Sequence, residues 1–177
     1  MDKFDYCLFC FDFVQVVTVT WLPVAQSIDY SPCAYYVTPG NARQISCERD
    51  AASQVLEAFR RNGNFADIDE VYLWFIDDLT DDDLAEILNI VASSASHQVS
   101  RISLSFLPKL EKIPEALPQF TGLTEFYFQY NEGIKILPSG SMTFSSDNLT
   151  NVHCQDNFNL EVIESGAFRG ESPTTNN

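Results

Sequence analysis

The sequence predicts an α/β fold, a solenoid of about four strand-bearing coils whose strands line up as one parallel sheet on a concave face. A disulfide hairpin and a helix precede the coils as an N-terminal cap. Three observations carry this prediction. The stretches "LTEFYFQYNEGIKILPSG" (123–140) and "LTNVHCQDNFNLEVIESG" (149–166) superimpose at an offset of 26 residues. Within each, apolar residues first alternate with polar ones, which is the period of a half-buried strand. Ahead of them, Cys33 and Cys47 bracket two β-rich runs around Pro39-Gly40-Asn41.

Composition bounds what such a chain does. At 177 residues, 45% hydrophobic and 13% aromatic, it is large and apolar enough for one domain with a core. With 25 acidic against 10 basic residues the net charge is −15, so the surface repels phosphate backbones and anionic lipid. Nucleic acid and membrane surfaces are therefore not expected partners.

The first 27 residues differ from the rest. Phe13 to Ala25 carries no charge, and Ala25-Gln26-Ser27 offers small residues where a signal peptidase reads. Residues 1–27 read as a secretory signal, although Lys3 is opposed by Asp2, Asp5 and Asp12. A membrane anchor is the alternative, but the run is shorter than the roughly 20 apolar residues of a span. The expected organisation is a signal (1–27), a cysteine cap (28–66), repeats (67–170) and a disordered tail (171–177) in a secreted protein with no stable membrane insertion once the signal is cleaved.

Removal of the signal takes Cys7 and Cys10 and leaves Cys33, Cys47 and Cys154. A Cys33–Cys47 disulfide across the hairpin stabilises by about 3 kcal/mol in the chain-entropy picture. A zinc site fits less well, because neither cysteine belongs to a close Cys or His pair. The amphipathic run "SQVLEAFRR" predicts a helix between this hairpin and the first repeat, where it shields the repeat's apolar edge.

At the offset of 26, Leu123 meets Leu149, Phe126 meets Val152, Phe128 meets Cys154, Asn131 meets Asn157, Ile134 meets Leu160 and Leu137 meets Ile163. The shared pattern, L-x-x-L-x-L-x-x-N-x-x-L-x-x-L, resembles the leucine-rich repeat family over residues 68–170. Earlier segments keep the apolar frame as Val99, Ile102, Leu104, Leu110 and Ile113, and as Ile68, Val71, Leu73 and Leu79. They carry Leu107 and Ile76 where the asparagine belongs, so an asparagine ladder is expected only between Asn131 and Asn157.

The longest connection contains "DDLTDDDLAEILNIVASS". Its aspartates lack the alternating oxygens and glycine of a calcium loop. They suit a helix start with Thr80 as N-cap and Asp83 at the capping-box position, followed by Leu84, Ile87, Leu88 and Val91 on one face. No metal is expected.

The neighbours His153 and Cys154 raise the question of a catalytic thiol. Strand alternation turns Val152 and Cys154 into the core and His153 outward, so the two face opposite ways. A buried thiol behaves as a small hydrophobe. The same alternation places Tyr72, Trp74, Phe75, Arg101, Phe106, Tyr127, Tyr130 and His153 on the outward, concave face, with Phe75, Phe106 and Tyr130 in a column. Exposed aromatics at one locus fit an extracellular protein or glycan ligand, while cross-strand support of the sheet is the plainer alternative.

Asn148-Leu149-Thr150 is an N-glycosylation sequon in the loop entering the fourth strand. The tail "RGESPTTNN" has no apolar frame, which fits a longer array or end-to-end pairing. The cysteine cap, the degenerate repeats ending "LPSG" and "IESGAF", and the acidic surface also resemble secreted arthropod repeat proteins grouped with the non-catalytic subunit of oplophorus-luciferin 2-monooxygenase. That resemblance implies a scaffold for a catalytic subunit. No phosphate loop, metal pair or nucleophile elbow appears, so the expected function is non-enzymatic binding without a cofactor.

Overall fold

The computed structural model describes residues 30–170. The expected signal with Cys7 and Cys10, and the expected tail 171–177, lie outside the described residues. The first elements are β1 (Ala34–Val37) and β2 (Arg43–Glu48), an antiparallel hairpin closed by the Cys33–Cys47 disulfide. Asn41 takes the left-handed conformation its turn needs, and the Thr38 hydroxyl accepts the Ala42 N–H at 3.1 Å.

Helix α1 (Ala52–Asn62) buries Val55, Leu56, Ala58 and Phe59 along one stripe. Gly63 ends it in the left-handed region and returns its N–H to Phe59 O at 3.0 Å. Strand β3 (Glu70–Trp74) leads into α2 (Asp81–Ala95). Both bonds of the capping box form there: Thr80 Oγ1 accepts the Asp83 N–H, and the Asp83 carboxylate accepts the Thr80 N–H. Leu84, Ile87, Leu88 and Val91 are buried, so the aspartates serve the helix start.

The remaining strands are β4 (Arg101–Ser105), β5 (Glu125–Gln129), β6 (Ile136–Leu137), β7 (Met142–Phe144), β8 (Asn151–His153), β9 (Val162–Ile163) and β10 (Phe168–Gly170). They complete a six-stranded sheet in the order β1-β2-β3-β4-β5-β8, with two further ladders, β6–β9 and β7–β10. Every pairing except β1–β2 is parallel. Parallel neighbours require a crossover, supplied by α1 and α2 early in the chain and by extended segments with a 3-10 turn (Leu117–Gln119) later.

Register follows the apolar frame. Val71, Ile102, Phe126 and Val152 are paired in sequence across β3, β4, β5 and β8, and Leu73, Leu104 and Phe128 likewise across β3 to β5. One face of the sheet packs these residues, Val152 excepted, against the helices, Ile76, Leu107 and Leu110 in a continuous core. Neighbouring segments approach closely there: a Cβ on Gly133 would overlap the carbonyls of Pro108 and Leu110. Asn131 Oδ1 accepts the Leu107 N–H at 2.9 Å while its Nδ2 donates to Leu104 O at 3.0 Å. Asn157 repeats the motif on the Asn131 N–H and Phe128 O, both at 2.9 Å.

One expectation needs correction. Val152 is 36% exposed and Cys154 half-buried rather than sealed in the core, because β8 is the sheet's edge and nothing among the described residues packs beyond it. Ser103 and Ser105, on the outward face, are buried. The Trp74 indole reaches over the sheet and donates from Nε1 to Ser103 Oγ at 2.9 Å, shielding it.

Candidate functional site

The outward face of the sheet carries two adjoining clusters. The first is a column at the carboxyl ends of the strands. Arg49, Phe75, Phe106, Tyr130 and Asp156 hold equivalent register positions, and all five are left-handed, with φ between 55° and 61°. For bulky L-residues that conformation costs about 1–2 kcal/mol each. The backbone uses it well. Each of the first four donates its N–H to the residue before the next column member: Arg49 to Trp74 O, Phe75 to Ser105 O, Phe106 to Gln129 O and Tyr130 to Gln155 O, at 3.2 to 3.4 Å.

The side chains of the column stack. Phe75 and Phe106 lie 4.1 Å apart between centroids and 13° from parallel, and Phe106 and Tyr130 lie 4.5 Å apart and 4° from parallel. Such contacts are worth about 0.5–1.5 kcal/mol each, which offsets part of the backbone cost. Arg49 covers the outer face of Phe75 with its guanidinium 5.2 Å from the ring centre, and Phe158 tilts against Tyr130 at 6.3 Å. Phe75 and Phe106 therefore present ring edges, both faces of each being occupied.

The second cluster is polar and centres on Arg101. Its guanidinium lies 3.3 Å from Glu70 and 3.0 Å from Glu125 and donates to the Tyr72 hydroxyl at 3.1 Å. Tyr127 donates to Glu125 Oε2 at 2.6 Å and stacks on His153, with centroids 4.4 Å apart and planes within 2°. The Arg101 bond and the Tyr127 hydroxyl hold the Glu125 carboxyl below its usual range, and Glu125 in turn raises the Arg101 guanidinium and the Tyr127 phenol. Burial raises the Tyr72 phenol. The cluster sets two carboxyl side chains, Glu70 and Glu125, around the one guanidinium of Arg101. Trp74 joins it edge-on to Tyr72 at 5.2 Å.

All eight outward residues named from strand alternation thus lie on one face, divided between column and polar cluster. Arg49, Phe158, Glu70 and Glu125 belong to the site as well. Arg49 and Phe158 lie outside the strands' alternating pattern, so periodicity does not reach them. Glu70 and Glu125 stand among the outward positions, and their pairing with Arg101 follows from β3, β4 and β5 being adjacent.

His153 and Cys154 turn to different partners: His153 stacks on Tyr127, and Asn157 Nδ2 approaches Cys154 Sγ at 3.5 Å. Burial pushes the Cys154 thiol up, against the weaker pull of Asn157. Asn148 is exposed in the turn before β8. Among the described residues no three His, Cys, Asp or Glu side chains converge on a metal position, and no helix is long and apolar enough to cross a membrane. Compared with known proteins, the chain matches no family model, no curated protein and no solved structure.

Proposed function

We propose that the chain is a secreted, non-enzymatic binding module of leucine-rich repeat type, which uses the outward, concave face of its sheet to hold a protein partner. The repeat reading is supported by the in-register parallel strands and by the asparagine bonds linking successive layers. The disulfide hairpin suits an oxidising compartment and so supports the secretory signal read at 1–27. A glycan on the exposed Asn148 belongs to the same reading.

One observation carries the choice of ligand: the stacked column Arg49-Phe75-Phe106-Tyr130-Phe158. Sugar recognition by stacking needs an open ring face, and both faces of Phe75 and of Phe106 are filled by their neighbours. Ring edges flanked by a rigid charged cluster instead suit a protein surface that lays aliphatic side chains along them.

A photo-crosslinking residue placed at Tyr127, and at the exposed Glu57 of α1 as control, tests this in the organism's own secretions. The expected result is one polypeptide joined at position 127 and not at 57, whose capture survives enzymatic removal of glycans. Capture at both positions alike, or loss on deglycosylation, contradicts the proposal.

A further inference from the structure

The last layer of the molecule offers a second surface. Phe158 is 73% exposed and Ile163 57%, with Val152, Val162 and Phe168 also exposed, whereas Phe126 and Leu137, paired one strand earlier with Val152 and Ile163, are 0% exposed. Strands β8, β9 and β10 each pair on one side only among the described residues. Three strand edges, unpaired on one side among the described residues, and five exposed apolar side chains thus belong to the last layer. A free edge is a template for a further strand. Residues 141–170 contain Asp147, Asp156, Glu161 and Glu164, all exposed, against one arginine, Arg169, and no lysine.

We propose that this layer docks an extended segment of a partner protein in which apolar and basic side chains alternate. The edge of β8 supplies the main-chain bonds, the exposed apolar residues receive one set of side chains, and the four carboxylates attract the other set. Charge also selects against the simplest competitor. A second copy would bring the same four carboxylates and a net −15 against them.

The probe is a seven-residue peptide alternating lysine and valine, titrated into the full chain and followed by amide chemical shifts. Comparators are its glutamate–valine counterpart and a version with proline at the central valine. Shifts are expected at the 151–153 and 162–163 amides for the lysine–valine peptide, weakening with salt and absent for both comparators. Binding should be lost in Val152→Lys and Ile163→Lys, both at exposed positions that tolerate the change, and kept in Asp77→Lys, which removes a remote carboxylate. Equal binding of the glutamate peptide, loss in Asp77→Lys, or no shift at these amides overturns the proposal. So does a doubled mass of the free chain by light scattering.

Discussion

At the residue scale, the column makes an inverted demand on side-chain size. Phe106 sits at φ 58°, where alanine pays the left-handed penalty and glycine does not. Both substitutions remove the same stacking, so Phe106→Gly should be more stable than Phe106→Ala by about 1 kcal/mol in chemical denaturation. The reverse order would mean the residue is not left-handed in solution. Asn131 is the buried counterpart: Asn131→Ala strands the Leu107 N–H and the Leu104 carbonyl and should cost about 2–4 kcal/mol. A titration at low pH reads a third residue. Burial acts to raise the Asp69 carboxyl, but bonds from the Arg43 guanidinium, the Arg43 N–H and Gln98 outweigh it and hold it at about 2. A lowered folded value gives stability that is present above the ordinary carboxylate range and lost as pH falls from about 4 toward 2. Its size is about 2 kcal/mol, and Asp69→Asn should flatten that part of the stability profile. The asparagine bonds were legible in the sequence, because one residue type recurs at a fixed place in the pattern. The left-handed column was not, since Arg, Phe, Phe, Tyr and Asp share no conformational preference that marks it.

At the element scale, local signals and observed elements agree where a single interaction decides the outcome. The Thr80–Asp83 box is such a case, and Thr80→Ala should lower stability by about 1 kcal/mol with α2 still formed. The Cys33–Cys47 bond is another, visible in advance because two β-rich runs lie between cysteines across a turn. Strand alternation held through β3 and β5, where core sits on one side. It misjudged β8, because alternation names a direction and burial needs a neighbour beyond the strand. The shielding of Ser103 by Trp74 was illegible for a related reason: it depends on which residue of the adjacent strand reaches across.

At the scale of the molecule, each of β2, β3, β4 and β5 adds one pair of apolar residues to the core and leads into one left-handed residue of the column. Stability and surface are thereby coupled, since shifting any strand by one residue would break the core, the stack and the chain of N–H bonds together. The ring protons of Phe106 test this most directly by solution NMR. Between Phe75 and Tyr130 they should lie well upfield of ordinary phenylalanine values, show contacts to both neighbouring rings, and move back downfield when Phe75 and Tyr130 are replaced by alanine. Ordinary shifts in the unsubstituted chain, with no contact between the three rings, would contradict the account.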